Sequence, residues 1–195
     1  MGPVVGVLAL QGAFAAHQRA LTEVGVGTSQ VRTPADLRGV AALVMPGGES
    51  TTMSRLLHTS GLFDEVKARI SDGMPVFGTC AGMILLAGDI VDGRPDQCSF
   101  GAIDITVRRN GYGRQIDSFE TELAVEGLDA SFHAVFIRAP QVEVAGPAVH
   151  VLASHEGVPV LARQGQVMVA SFHPELTADA RLHKMFVDHS QIRSA

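Results

Sequence analysis

The sequence predicts an α/β fold in which helices cover both faces of a mainly parallel central sheet. Short apolar runs bounded by Gly and Pro alternate with segments of helical period along the 195 residues, as expected for strands buried on both faces. Hydrophobic residues make up 46% of the chain and charged residues 18%, which excludes disordered and membrane-spanning proteins. A domain typically has about 150 residues, so residues 1–195 are predicted to form one domain.

The first half of the chain contains a regular series of predicted elements. Residues 4–10 form an apolar run that predicts a strand, because neither a basic segment nor a cleavage site marks it as a signal peptide. The elements predicted next are a helix over 14–24, a strand over 42–45, helices over 51–57 and 62–70, a strand over 75–77 and a helix over 83–87.

The second half begins with a less regular segment. Residues 89–127 are richer in Gly, Arg and polar residues, which predicts loops and antiparallel strands that elaborate the same domain. The remaining predicted elements are strands over 134–137, 149–152, 158–161 and 167–172 and a closing helix over 182–189.

Charge and cysteine content exclude several classes of function. Twenty acidic against fifteen basic residues give a net charge of -5, and no basic stripe is present to bind nucleic acid or an anionic membrane. Cys80 and Cys98 are the only cysteines, so neither a disulfide framework nor a thiolate zinc site is expected, and a reducing cytoplasm fits. The histidines lack ligand spacing such as H-E-x-x-H, so we expect no metal and no cofactor.

A Gly-Thr-Cys-Ala-Gly turn at residues 78–82 is the sharpest local signal. It lies between a predicted strand and a predicted helix, which is the arrangement of a nucleophile elbow with Cys80 in place of serine. The glycines allow a sharp turn, and the following helix N-terminus favours a thiolate. A buried structural cysteine beside two turn glycines is the alternative for this motif alone.

A His-Pro-Glu segment supplies a candidate base for this nucleophile. Pro174 favours an extended conformation at His173, and residues two apart in an extended chain point to the same side. Glu175 is therefore predicted to orient the imidazole of His173, which would exchange a proton with the Cys80 thiol. A lone histidine at a strand end is more often a hydrogen-bonded surface residue, but its combination with the elbow favours catalysis.

A Pro-Gly-Gly-Glu-Ser turn leads from one predicted strand into a helix. The backbone N–H groups of Gly47 and Gly48 could face a developing oxyanion together with that of Ala81. Taken alone, the motif is more typical of an ordinary turn capped by Ser50 or Thr51. The pattern of a phosphate-binding loop is missing.

These three motifs, in this order, resemble the triad-type (class I) glutamine amidotransferases, whose fold is a flavodoxin-like three-layer α/β/α sandwich. Further segments extend the resemblance to the glutaminase subunits of pyridoxal 5'-phosphate synthase over essentially the whole chain. The similar segments are residues 8–12, 46–53, 78–82, 109–110, 113–115, 117–120, 136–140 and 171–177.

The resemblance implies hydrolysis of L-glutamine to L-glutamate and ammonia through a glutamyl thioester on Cys80. It assigns His173 as acid and base and Glu175 as orienter. The oxyanion hole that it implies comprises Gly47, Gly48 and Ala81, and the implied substrate-binding residues are Gln11, Glu49, Ser50, Arg109, Ile137 and Arg138. Guanidinium groups suit the substrate carboxylate, although an arginine chosen at random is more often a solvated surface residue.

The resemblance also implies a partner, a (β/α)8-barrel synthase subunit that takes up the ammonia in a 12+12 complex and forms pyridoxal phosphate as a product. Two alternatives stay open from the residues alone. The elbow and triad do not determine which amide is hydrolysed, so another γ-glutamyl amide is an alternative substrate. A non-catalytic regulatory subunit is the other alternative, although the three candidate triad residues argue against it. Cys98 is expected to be structural or incidental.

Overall fold

The computed structural model describes residues 2–109, 111 and 118–192. The strands are β1 (Val4–Leu8), β2 (Gly27–Val31), β3 (Ala42–Met45), β4 (Val76–Thr79), β5 (Ala87–Ile90), β6 (Ile103–Arg108), β7 (Ser118–Leu123), β8 (Phe132–Ile137), β9 (Gln141–Ala145), β10 (His150–His155), β11 (Val158–Gln164) and β12 (Val167–Ala170). The α-helices are α1 (Phe14–Glu23), α2 (Pro34–Arg38), α3 (Ser50–Thr59), α4 (Leu62–Ser71), α5 (Ala81–Leu86) and α6 (Arg181–His189).

The described residues form a seven-stranded central sheet in the order β10-β11-β12-β4-β3-β1-β2. The five strands from β12 to β2 are parallel, whereas β11 is antiparallel to β12 and β10 is antiparallel to β11. Val7, Val44, Phe77 and Met168 are register partners across four of the parallel strands. Because the strands are in register, the segments that follow their carboxyl ends meet at one edge.

Helices pack on both faces of the sheet and make the three predicted layers. Side chains alternate between the faces of each strand, so Leu43 and Met45 point into one core while Val44 points into the other. The first core lies beneath α3, α4 and α5. The second lies beneath α1, α6 and the β7–β8 hairpin. The prediction of an α/β sandwich with a mainly parallel sheet is therefore confirmed.

Most predicted elements are present, and the differences have physical causes. The sequence analysis missed β2, a half-exposed edge strand without an apolar run, and the one-turn helix α2, which Thr33 and Asp36 stabilise with a capping box. It also missed β9, which is mostly exposed. Ala87 was expected in a helix but begins β5, and β5 pairs with β6 in parallel, not antiparallel as expected for this region. No helix in the described part of the chain has the length and apolar character needed to cross a membrane.

Candidate active site

The candidate residues lie where parallel strands end at the carboxyl edge of the sheet. Gln11 follows β1, the Gly47–Gly48 turn follows β3, Cys80 follows β4 and His173 follows β12. Open α/β sheets bind ligands at this edge, beside the point where the strand order reverses, and here that point lies between β1 and β3. Gly48, Cys80 and His173 accordingly line a cleft of about 370 Å³.

Cys80 occupies a strained turn between β4 and α5. Its φ is 50°, a left-handed conformation that is rare for a residue with a side chain and frequent at nucleophile elbows. The turn needs its glycines. A Cβ at Gly78 would lie 2.6 Å from the carbonyl oxygen of Gly82, and a Cβ at Gly82 would collide with the carbonyl oxygen of Met45. The Cys80 side chain is nearly buried, with Sγ 3.9 Å from the carbonyl oxygen of Ile137. The structure thus has the backbone geometry that the motif predicts.

His173 and Glu175 are joined at the end of the last sheet strand. The backbone N–H of His173 donates to the carbonyl oxygen of Val135 at 2.9 Å. Nδ1 of His173 lies 2.8 Å from Oε1 of the buried Glu175. The sequence predicted this contact through an extended segment, and that conformation is wrong. Pro174–Leu176 forms a 3-10 turn. The turn instead brings the carboxylate back to the ring.

The electrostatics of the pair favour a charged imidazolium. Burial by itself would lower the pKa of His173, but its interactions with Cys80 and Glu175 outweigh burial and raise the pKa to about 10. Burial would raise the pKa of Glu175, yet the hydrogen bond with His173, followed by the charge interactions with His17 and His173, holds it below its ordinary value. A protonated His173 held by an ionised Glu175 can act as a proton donor.

The glycine turn after β3 packs directly against these groups. A Cβ at Gly47 would collide with Cε1 of His173 and would lie 3.3 Å from Cβ of Cys80, so only glycine fits there. A Cβ at Gly48 would lie 3.5 Å from Oε1 of Gln11. The turn therefore lies beside both the nucleophile and the base, and Gln11 lies beside Gly48.

The cap of α3 differs from the one considered in the sequence analysis. Glu49 caps the helix, because its carboxylate accepts hydrogen bonds from the backbone N–H groups of Thr51 at 3.1 Å and Thr52 at 2.6 Å. Burial works against its charge, but these hydrogen bonds lower the pKa of Glu49 to about 2. A capping role for Ser50 or Thr51 is thus wrong, and the cleft contains a fixed anion.

Arg109 lies opposite this anion in the cleft. Its Nη2 is 3.3 Å from Oε1 of Glu49, and its backbone N–H donates to Asp92 at 2.7 Å. Its Nε is buried and has no hydrogen bond to the described residues. Arg109 and Glu49 therefore form an ion pair within the cleft.

Ser50, Ile137 and Arg138 complete the predicted set and also line the cleft. Oγ of Ser50 accepts a hydrogen bond from Nε2 of Gln97 at 2.9 Å. Arg138 has a φ of 43°, a second left-handed residue at this edge. Asn110, residues 113–115 and Asp117, which belong to the resemblance, lie outside the described residues.

A buried group that the sequence did not predict lies beneath Glu175. His17, Thr79 and His183 are fully buried and approach one another behind the carboxylate. The position of His17 on the core-facing side of α1, one turn before Leu21, was the available signal. In the described ranges, no group of three or more His, Cys, Asp and Glu residues could hold a metal ion.

A Cys elbow and a His–Glu pair at the carboxyl edge of a parallel sheet covered by helices on both faces are the arrangement expected of the class I glutamine amidotransferases. Residues 7–192 match the SNO glutamine amidotransferase family, and the chain belongs to that family. A crystal structure of a glutamine amidotransferase is similar to it at 50% identity with a TM-score of 0.91, covering 96% of this chain and 99% of that one.

Two bacterial relatives are similar over nearly their full length. The protein of Frankia alni is 55% identical over 188 residues, which are 96% of this chain and 94% of the relative. The protein of Mycobacteroides abscessus is also 55% identical over 188 residues, with 96% and 97% covered. Both are named pyridoxal 5'-phosphate synthase subunit PdxT.

Proposed function

We propose that the chain is the glutaminase subunit of a pyridoxal 5'-phosphate synthase, hydrolysing L-glutamine to L-glutamate and ammonia. The observation that carries the proposal is the strained Cys80 beside the His173–Glu175 pair, whose Nδ1 and Oε1 are 2.8 Å apart. Membership of a glutamine amidotransferase family and the synthase-subunit name of its relatives support the substrate and the pathway.

The geometry supports a two-step reaction through a thioester. The Cys80 thiolate attacks the carboxamide carbon of glutamine, and the imidazolium of His173 gives its proton to the departing nitrogen, which leaves as ammonia. Neutral His173 then takes a proton from water as the water attacks the thioester. The C–S bond breaks and the thiolate–imidazolium pair is restored, and the new carboxyl group loses its proton to solvent as glutamate leaves. Glu175 keeps the ring oriented in both steps.

The negative oxygen of each tetrahedral intermediate requires nearby donors. Backbone N–H groups of Gly47, Gly48 and Ala81 are the proposed donors, because the glycine turn packs against Cys80 and His173 and Ala81 follows the nucleophile directly. Gln11 lies against this turn. It is placed to influence the orientation of the donors.

The far end of the cleft carries charges that match those of the substrate. Glu49, ionised over the whole neutral range, is proposed to bind the α-ammonium group of glutamine. Arg109 and Arg138 are proposed to bind the α-carboxylate, since a guanidinium forms strong charge-assisted hydrogen bonds. Ser50 and the Ile137 backbone lie along the same cleft and are proposed to complete substrate binding.

The proposed partner is the synthase subunit, a (β/α)8 barrel forming a 12+12 complex with this chain. This part of the proposal is supported by the resemblance of the sequence and by the relatives' description as subunits of a synthase. Ammonia would pass to the barrel, and pyridoxal phosphate would be its product and not a cofactor of this chain. We propose that the complex is cytoplasmic. We also propose that residues 1–195 form one domain, and that this domain uses neither a metal nor a cofactor.

The test is glutamate release from L-glutamine by the chain alone and after addition of the synthase subunit. We expect activity that the synthase stimulates, and we expect Cys80→Ala to abolish it without altering the melting temperature greatly. Cys98→Ala is the matched control, because Cys98 contacts His58 and does not line the cleft, and it should retain activity.

Other outcomes would change the assignment. Turnover by Cys80→Ala would remove the proposed nucleophile, and faster hydrolysis of γ-glutamyl peptides than of glutamine would favour a different amide. A folded chain that neither hydrolyses an amide nor reacts with a thiol-directed glutamine analogue would favour a regulatory subunit.

A further inference from the structure

A buried pair of histidines lies behind the catalytic carboxylate, on the side away from the cleft. Nε2 of His17, from α1, is 3.4 Å from Oε2 of Glu175 and 3.2 Å from Oγ1 of Thr79. Nδ1 of His17 is 2.9 Å from Nε2 of His183, from α6. The side chains of His17 and Glu175 have no exposed surface, so this contact is made without solvent.

Glu175 is thus approached from two sides by imidazole rings. Its Oε1 interacts with Nδ1 of His173, while Oε2 forms no aligned hydrogen bond with the described residues and faces Nε2 of His17. A buried carboxylate oxygen without a donor is costly. The nearby ring of His17 is placed to lower that cost.

One proton arrangement satisfies this buried group better than the other. If His17 carries its proton on Nε2, the N–H faces Glu175 and Thr79, and Nδ1 accepts from the Nε2–H of His183. The lone pair on Nδ1 of His183 is then left without a partner among the described residues, and Oε2 of Glu175 faces an N–H group. The reverse arrangement would point a lone pair of His17 at the carboxylate and bury an unpaired N–H on His183, which is less favourable.

The electrostatics agree with neutral rings. Desolvation lowers the pKa of His17 to about 4, although Glu175 opposes this shift and His173 reinforces it. Desolvation likewise lowers the pKa of His183 to about 3, with His17 adding to the effect and Glu175 opposing it. The pair is therefore a neutral donor chain at neutral pH, and it does not compete with His173 for the catalytic proton.

We infer that His17 is a positioning residue of the triad, its Nε2–H facing Oε2 of Glu175 and Oγ1 of Thr79, and that His183 fixes the His17 tautomer which makes this possible. The inference rests on the proposed function, because it deepens the role of the same triad. With an N–H group facing each oxygen, rotation of the carboxylate away from His173 is disfavoured. Without this donor the carboxylate of Glu175 could rotate, which would weaken the contact between its Oε1 and Nδ1 of His173.

The decisive comparison is between His17→Gln and His17→Asn. The Gln side-chain amide reaches the position of Nε2 and can still donate to Glu175, whereas the Asn amide reaches only the position of Nδ1. We expect His17→Gln to keep nearly wild-type turnover with the synthase present. We expect His17→Asn to lose about tenfold to a hundredfold in kcat, the range typical of lost supporting contacts.

Two further readouts separate positioning from a general loss of structure. KM for glutamine should stay unchanged in His17→Asn, since the substrate ends bind elsewhere in the cleft. The alkaline limb of its pH profile should move to lower pH, because a loosened Glu175 supports the charge of His173 less well. Equal impairment of the Gln and Asn variants, or normal turnover in folded His17→Asn, would overturn the inference.

A measurement on the wild-type protein keeps the inference testable if a variant does not fold. Imidazole ¹⁵N NMR of histidine-labelled protein distinguishes the two neutral tautomers, and we expect Nε2–H on both His17 and His183. Finding Nδ1–H on His17 would contradict the inference. Cys80→Ala is assayed alongside, because activity in that variant would overturn the proposed function. Normal turnover in His17→Asn with inactive Cys80→Ala would reject only the positioning role.

Discussion

The two ends of the cleft are built differently. At the reaction end, Cys80 and His173 are held by backbone hydrogen bonds to sheet strands, and Glu175 is buried against histidines. At the recognition end, Glu49 and Arg109 lie on turns, are partly exposed and pair with each other. The proposed reaction end is therefore organised before substrate arrives, whereas at the proposed recognition end we expect glutamine to replace the ion pair between Glu49 and Arg109. Changes at the first should lower kcat, and changes at the second should raise KM.

Among the substitutions that test this difference between the two ends of the cleft, Glu175→Gln is expected to have the largest effect. Loss of the charge removes the orientation of His173 and the stabilisation of its imidazolium, so kcat should fall by about 10²–10⁴-fold, as for the orienting carboxylate of other triads. Steady-state glutamate release measures it. A decrease confined to KM would contradict the proposed division of the cleft.

The pH profile of the same variant provides a second check. In the wild type, the raised pKa of His173 keeps the ring protonated until the pH approaches about 10. As the pH rises through that value the proton donor is lost, so kcat/KM should fall on the alkaline side. Glu175→Gln removes one of the interactions that raise this pKa, and its alkaline limb should therefore begin at lower pH.

Gly47→Ala should have the next largest effect. The added methyl group would collide with the His173 ring, and a displacement of about 1 Å in a catalytic group can cost on the order of 10²-fold in rate. Gly27→Ala is the matched control, because the nearest atom to its Cβ would be a Val4 methyl group at 3.8 Å. Glutamate release should be normal in the control. If both variants were equally active, the close packing of the glycine turn would have no catalytic consequence.

The smallest effect is expected at the recognition end, from Arg109→Met. Losing a charge-assisted hydrogen bond of about 1.5–3 kcal/mol should raise KM for glutamine by roughly tenfold to a hundredfold, with little change in kcat. Arg108→Met is the control, because Arg108 pairs with Glu143 and does not line the cleft. Initial rates over a range of glutamine concentrations separate the two parameters. A pure loss of kcat in Arg109→Met would place this arginine at the reaction end.

The sequence predicted the central sheet and the turns of the cleft because both leave local signals. Buried parallel strands produce unbroken apolar runs, and the sharp turns at Cys80 and Gly47 require glycines. The edge strand β2 lacks such a run, since it is half exposed. The contact between His17 and His183 joins residues 166 positions apart. It depends on how α1 and α6 pack, which no short motif encodes.

Burial of His17 and His183 also links the stability of the fold to protons in the medium. Both rings have lowered pKa values in the folded chain, about 4 and about 3, against 6.5 in an unfolded one. Below pH 6.5 these two histidines therefore bind protons in the unfolded chain but stay neutral in the folded one. Each histidine then costs about 1.4 kcal/mol of folding free energy per pH unit until its folded pKa is reached. Mild acidification therefore lowers the free energy of unfolding through these two buried rings, at a pH where the carboxylates of the surface still carry their charge.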